Sequence, residues 1–331
     1  MIILGIETSC DETSAAVVKD GRRILSNIIA SQTEVHAPFG GVVPELAARR
    51  HIEAIGYITE QALSRAGILL EAVDAFAVAN GPGLVGALLV GVNYAKGLAF
   101  AQGKPLVGVH HIEGHVCANL FENDLAPPFL SLVVSGGHTI LIEVRDYNVY
   151  HVLGGTMDDA AGEAFDKVAR LLGLPFPGGP QVDKLAQQGN PHSIAFPRAK
   201  VGEFSFSFSG LKTAVMQYLA KNKNFNAADV AASFQQAVVE VLAEKTIHAA
   251  QKFGYNAVAL AGGVACNRAL RAQFENVCTS ANLQLHMPTP VLCTDNAAMI
   301  AARGYYQLQQ GPQKNWDMDV YPARMTAQGD K

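Results

Sequence analysis

The sequence predicts an α/β protein of two lobes built to one duplicated plan, and three observations predict it. The first is a strand–turn–strand design that occurs twice. Residues 2–6 and 14–18 flank the polar turn Glu7-Thr8-Ser9-Cys10-Asp11-Glu12-Thr13, and residues 129–134 and 140–144 flank Ser135-Gly136-Gly137-His138-Thr139. The second is a set of long helical stretches interleaved with short apolar runs, the pattern of helices packed on sheets. The third is composition: 331 residues, 49% hydrophobic and only 16% charged, supply enough apolar surface for two cores.

Taken along the chain, the first apolar run and its hydroxyl-rich turn open the N-terminal lobe. The spacing then predicts helices over 44–66, 110–121, 158–172, 227–253, 264–278 and 296–309. Residues 75–95 carry no charge, but Asn80-Gly81-Pro82-Gly83 interrupts them, so they read as a strand and a buried or partner-facing helix and not as a membrane span. Residues 105–109 are strand-like. The second hydroxyl-rich turn opens the C-terminal half, and both turns offer hydroxyls and backbone N–H groups at a sheet edge, which suits phosphate oxygens held between lobes. Residues 174–180 and 189–197 are Gly-Pro-rich and read as loops. Ala257-Val258-Ala259-Leu260-Ala261 runs into Gly262-Gly263 and then a helix with Cys266, Asn267 and Arg268 near its start, a strand, tight turn and helix that lets an anion or a nucleotide edge approach. It matches neither a dinucleotide fingerprint nor a P-loop.

Charge and cysteine usage exclude several classes. A net charge of −4 does not describe a chain that binds nucleic acid alone over a broad basic face. Small basic clusters occur at Arg22-Arg23, Arg49-Arg50, Arg198 with Lys200, Lys221 with Lys223, and Arg268 with Arg271. The five cysteines are scattered and form no C-x-x-C, which argues against a disulfide framework or a thiolate zinc site. The N-terminal run has no basic flank and no small-residue cleavage pattern, so a cytoplasmic location is expected.

The candidate chemistry centres on Val109-His110-His111-Ile112-Glu113-Gly114-His115. His111 and His115 stand four residues apart, which on a helix puts both imidazoles on one face, able to grip one divalent metal. The Glu is not placed as in the H-E-x-x-H protease helix, which weakens a peptidase reading. Asp295, in Leu292-Cys293-Thr294-Asp295-Asn296, is a candidate third ligand that would leave open coordination positions. On the residues alone, capping of the helix that follows by Thr294 or Asp295 ranks above ligation.

Together, Gly5-Ile6-Glu7-Thr8-Ser9-Cys10-Asp11-Glu12-Thr13, His110 to His115, Ser135 to Thr139, Phe206-Ser207-Phe208-Ser209-Gly210-Leu211-Lys212 and Ala261-Gly262-Gly263-Val264-Ala265-Cys266-Asn267 resemble the TsaD family over residues 1 to about 321. Its members are tRNA N6-adenosine threonylcarbamoyltransferases, once described as sialoglycoprotein endopeptidases. The resemblance implies a two-lobed, actin-like and Hsp70-like ATPase fold with duplicated ribonuclease H-like domains and a nucleotide cleft. The lobes are expected at 1–115 with 297–325 and at 116–296, with 326–331 as a tail. It implies that His111, His115 and Asp295 hold iron or zinc. Val134, Ser135, Gly136, Gly137, His138, Asp166, Gly179, Asp183 and Asn267 are implied to contact an adenine nucleotide or threonylcarbamoyl-AMP, with His138 as donor, proton shuttle or positioning residue.

The implied reaction moves the threonylcarbamoyl group from threonylcarbamoyl-AMP to N6 of the adenosine immediately 3′ of the anticodon, in tRNAs reading codons that begin with A. The implied partners are tRNA, a TsaB-like paralogue docking near residues 44–66 and 83–100, a TsaE-like ATPase, and a separate synthase that supplies the adenylate. Without the resemblance, Asp166 reads as a solvated charge beside Glu163 and Arg170, Gly179 as a turn glycine and Asn267 as a helix-start residue. A metalloendopeptidase, or an actin-like ATPase or scaffold without transferase activity, are the rival readings.

Overall fold

Each strand–turn–strand opens a five-stranded mixed sheet, and the two sheets share one strand order. The computed structural model describes residues 1–311 and 316–322. The first sheet comprises β1 (Ile2–Glu7), β2 (Glu12–Lys19), β3 (Arg23–Ser31), β4 (Ala75–Gly81) and β5 (Leu106–His110) in the order β3-β2-β1-β4-β5. The second comprises β6 (Phe129–Val134), β7 (Thr139–Asp146), β8 (Val149–Gly155), β9 (Ala257–Ala261) and β10 (Gln284–His286) in the order β10-β9-β6-β7-β8. In both, the first strand pairs antiparallel with the second and parallel with the fourth. The duplication expected from the two turns is therefore one of topology as well as of local pattern.

Strands β1, β2, β4 and β5 of the first sheet are largely buried and carry long apolar runs, as a sheet covered on both faces requires, whereas the edge strand β3 is only partly buried. Successive residues point to opposite faces. Ile3, Ala75, Ala77, Val107 and Val109 pack with Ala297, Ala298, Ile300 and Ala301 of the helix Ala297–Leu308. Leu4, Ile6, Phe76, Val78 and Leu106 pack on the other side with Ile55 of the helix Pro44–Ala66 and Val92, Ala95 and Ala99 of the helix Val85–Gln102. Complete burial of each large apolar side chain contributes about 1.5–3 kcal/mol, so β1 and β4 are the anchor of this unit. At Gly5 the last helix comes so close that a Cβ would lie 2.3 Å from the Ala297 carbonyl oxygen.

Two compact units result: Met1–Ala126 with the segment beginning at Pro288, and Pro127–Met287. The joints thus lie beyond 115/116 and before 296/297. The chain stays in the first unit after His115 because Ala118, Leu292 and Ala297 share one apolar cluster with β4 and β5. The 326–331 tail lies outside the described residues.

Several element bounds differ from expectation. The 110–121 helix is His111–Cys117 followed by a 3-10 turn, Ala118–Leu120. The 264–278 helix is a 3-10 turn, Gly263–Cys266, and then Arg268–Ser280, with the Asn267 side chain capping it by accepting the Leu270 N–H. A helix, Gly178–Ala186, begins inside the 174–180 loop, and Ser209–Lys221 is helical as well. All five cysteines are free thiols. Among the described residues no helix is long and apolar enough to cross a membrane.

Fully buried His51 ties the helix Pro44–Ala66 to the first hydroxyl-rich turn: its Nδ1 lies 2.8 Å from Thr13 Oγ1, and its Nε2 3.0 Å from the Cys10 carbonyl oxygen. Burial depresses its pKa below the usual histidine value. The unfolded chain binds a proton there near pH 6.5 and the folded chain resists it, so the stabilisation is complete above about pH 6.5 and is lost as the pH falls below it.

Two outcomes are expected from thermal unfolding. Gly5→Val should lower the melting temperature sharply, by the equivalent of at least about 3 kcal/mol, because the clash is with backbone atoms that cannot rotate away; a near-normal melting point would show that the last helix is not held against β1. Between about pH 7 and pH 5 the wild type should lose more stability than His51→Gln, whereas equal slopes would show that His51 is not a buried neutral group.

Candidate functional site

The seven-residue helix His111–Cys117 starts directly at the end of β5, and its two imidazoles project together as the i,i+4 spacing requires. Their ring centroids are 4.6 Å apart. Asp295 meets them from the far end of the sequence, its Oδ1 3.1 Å from His115 Nε2 and 3.6 Å from His111 Nε2. Ligand atoms of the three residues all lie within 4.8 Å of one another. Asp295 is not the cap of the helix that follows. Asn296 takes that role: its Oδ1 accepts the Met299 N–H at 3.1 Å and its Nδ2 donates to the Thr294 carbonyl at 2.8 Å, which frees the Asp295 carboxylate to face the histidines.

These residues fit a divalent cation. His115 is fully buried, its Nδ1 has no hydrogen-bond partner, and its Nε2 faces the Asp295 carboxylate at 3.1 Å, so the imidazole and the carboxylate present their donor atoms to one point. Two imidazoles and one carboxylate are a donor set suited to zinc or iron, with positions left for substrate. Glu7, at the end of β1, accepts the Ser9 N–H and lies 3.0 Å from His111 Nδ1. Burial works against protonation of His111, yet the Asp295 and Glu7 carboxylates together outweigh it and hold its pKa up at about 9. Burial and then the Asp295 and Asp11 carboxylates push Glu12 up to about 10. Burial and then Asp11 and Asp295 raise the Cys10 thiol well above its usual value. The pocket is rich in carboxylates whose mutual repulsion a cation would relieve.

The second unit gathers most of the remaining expected residues around the ends of β6 and β9. The turn after Val134 closes on itself: the Ser135 N–H donates to the His138 carbonyl at 2.8 Å, and the His138 N–H donates to Ser135 Oγ at 3.1 Å. Gly262 lies beside it with φ +87°, where a Cβ would stand 2.4 Å from the Val134 carbonyl oxygen, so only glycine fits. Asp166 Oδ1 accepts the Gly178 N–H at 2.7 Å and fixes the start of the helix carrying Gly179 and Asp183. Asp166 is therefore tied to the backbone of a neighbouring helix, while Glu163 pairs with Lys167 at 3.0 Å. Asp183 Oδ2 pairs with Arg268 Nε at 2.8 Å, and its buried Oδ1 has no hydrogen-bond partner. Asn267 Nδ2 donates to the buried Gln235 Oε1 at 2.7 Å.

Sequence reasoning missed Glu7, Asn296 and Gln235 as supporting residues. The signal for the first two was present only as a buried-looking Glu at a strand end and an Asn preceding an apolar helix. Of the small basic clusters, Arg49, Arg50 and Arg198 pair with Glu45, Glu53 and Glu240, and Arg22 donates to the Leu120 and Leu125 carbonyls.

Comparison with known proteins bears directly on this arrangement. The TsaD family model, described as tRNA N6-adenosine threonylcarbamoyltransferase, matches residues 23–302. A Clostridium botulinum (strain 657 / Type Ba4) protein named tRNA N6-adenosine threonylcarbamoyltransferase is 54% identical over 327 residues, covering 97% of this chain and 96% of the relative. A Clostridium perfringens (strain ATCC 13124) protein of the same name is 53% identical over 328 residues, covering 97% of each chain. Among solved structures, full-length HypF in its phosphate- and nucleotide-bound form is similar in fold, with a TM-score of 0.64 and 15% identity, over 93% of this chain and 46% of HypF. The duplicated sheets and this likeness give the actin-like ATPase fold. With a family match over most of its length and relatives more than half identical to it, the chain belongs to the TsaD family of tRNA N6-adenosine threonylcarbamoyltransferases, enzymes that acylate tRNA.

Proposed function

We propose that this transferase takes its group from threonylcarbamoyl-AMP and delivers it to N6 of the adenosine immediately 3′ of the anticodon, in tRNAs reading codons that begin with A. We further propose that the His111–His115–Asp295 triad holds Fe2+ or Zn2+ for that reaction. The observation that carries the reading is the convergence of two buried imidazoles and a carboxylate, in a chain whose relatives are acyl transferases, without the glutamate placement of a protease helix.

The donor is a mixed anhydride, so the site must hold the adenylate, draw electrons from the carbamoyl carbonyl and present a weakly nucleophilic amine. His111, His115 and Asp295 would hold a divalent cation, and such a cation would supply Lewis-acid polarisation of the carbamoyl carbonyl. His111 and His115 would be its neutral nitrogen ligands and Asp295 its anionic one. The Ser135–His138 turn offers backbone N–H groups and a hydroxyl to phosphate oxygens. His138 positions the donor or passes a proton during transfer. Asp183, with one carboxylate oxygen unmatched in the protein, accepts hydrogen bonds from hydroxyls of the adenylate. Asp166 acts by holding Gly178 and Gly179 in place, and Asn267 acts from a side chain held by Gln235. The same residues accommodate an adenine nucleotide.

A chain of net charge −4 with several arginines committed to local pairs binds tRNA well only when partners add surface. Ile52 and Tyr57 on the helix Pro44–Ala66 and Leu89 and Phe100 on Val85–Gln102 are exposed apolar residues, which supports docking of a TsaB-like paralogue on these helices. A TsaE-like ATPase and a separate adenylate-forming synthase complete the proposed system, which operates in the cytoplasm.

The test is mass spectrometry of nucleosides from tRNA incubated with threonylcarbamoyl-AMP and the assembled complex. Modified adenosine is expected, with the isolated chain far less active. His111→Ala, His115→Ala or Asp295→Ala should lose bound divalent metal and more than about 100-fold of transfer while tRNA affinity changes little. Undiminished transfer by these variants contradicts the proposed role of the triad. Separately, an adenylate analogue should raise the melting temperature of the wild type, and Asp183→Ala should reduce that shift, because a ligand bound only by the folded state stabilises it by mass action. An equal shift in both proteins would remove Asp183 from the donor site.

A further inference from the structure

Glu7 is a fully buried carboxylate at the last position of β1, and a buried charge is tolerated only with partners. Its hydrogen bonds among the described residues go to the Ser9 N–H through Oε1 and to His111 Nδ1, at 3.0 Å, through Oε2. Ser9 Oγ lies 3.2 Å from the same ring nitrogen. The opposite nitrogen, Nε2, is the one that faces Asp295. A histidine that donates its Nδ1 proton to a carboxylate has its lone pair on Nε2, with raised basicity there. The sheet carries this arrangement further. Glu7 stands opposite Ser14 in the β1–β2 pairing, and Ser14 Oγ accepts the Ala297 N–H at 2.9 Å, two residues after Asp295. One row of the sheet thus holds a ligand-orienting group on one side and the segment carrying the third ligand on the other.

We propose that Glu7 is the positioning residue of the metal centre, holding His111 in the Nδ1–H tautomer so that Nε2 is committed to the cation. The inference rests on the metal reading above and deepens it. Glu7 has no solvent exposure, so it acts through His111 and not on substrate. His115 has no such carboxylate on its Nδ1, and its Nε2 faces Asp295 at 3.1 Å. Of the two imidazoles, His111 is the one whose ring is tied to a buried carboxylate outside the triad.

The experiment is a chelator-competition titration of the full chain with Zn2+, for wild type, Glu7→Gln and Glu7→Ala, with circular dichroism to verify folding. Loss of a partner that orients a ligating histidine weakens metal affinity about 10- to 100-fold. Glu7→Ala should sit at the large end of that range and Glu7→Gln, which keeps an acceptor oxygen, at the small end. A second measurement needs no variant: in zinc-loaded wild type carrying 15N-histidine, the long-range 1H–15N spectrum should show the His111 proton on Nδ1. Zinc affinity within twofold of wild type in folded Glu7→Ala, or a proton on Nε2, overturns the proposal and leaves the triad standing. Failure of the wild type to bind zinc or ferrous iron overturns the metal reading and this inference with it.

Discussion

The contact on which the first unit depends is the approach of the last helix, Ala297–Leu308, to β1 at Gly5, where the main chains come too close for any side chain. That contact brings residues from the two ends of the sequence into one core and delivers Asp295, which immediately precedes the helix cap, to the histidine pair. The short helix His111–Cys117 is held against the same helix by two further tethers. Gly114 leaves room for Ile300, whose Cδ1 would stand 2.9 Å from a Cβ there, and Arg303 Nε pairs with Glu113 Oε2 at 2.6 Å. An ion pair so little exposed adds little net stability, since desolvation offsets much of the attraction, but it fixes one register of two helices.

The chemistry divides between the units by charge. Around the triad the side chains are carboxylates and imidazoles: Glu7, Asp11, Glu12 and Asp295 with His111 and His115. Burial and mutual repulsion hold Glu12 at about pKa 10, and a divalent cation is the species that relieves such crowding. The expected donor-binding residues of the second unit are arranged around backbone N–H groups, a serine hydroxyl and glycines, the provision suited to phosphate oxygens and a ribose.

Much of this was legible because it is local. The i,i+4 histidines, the repeated strand–turn–strand and the Gly262-Gly263 turn each declare themselves within a few residues. What was not legible depends on distant partners. Asp295 could be read as a helix cap because Thr294, Asp295 and Asn296 are all capping residues, and only the bond from Met299 to Asn296 decides among them. Glu7 lies 104 residues from His111, and no spacing rule connects them. The helix Ser209–Lys221 follows an alternating Phe-Ser run with a strand-like period, and its start is fixed by Asp158, whose Oδ1 accepts the Phe208 N–H at 2.8 Å. The joints between units lie farther from the His111–His115–Asp295 triad than expected because the chain on either side of the triad continues to pack into the first core.

The central claim is that His111, His115 and Asp295 form a single metal centre in this transferase. X-ray absorption at the metal edge of the zinc- or iron-loaded full chain tests it most directly. A first shell of nitrogen and oxygen only is expected, with the outer-shell scattering of two imidazoles at ligand distances of about 2.0–2.1 Å for zinc. A sulfur ligand, or a shell with no imidazole scattering, would contradict it.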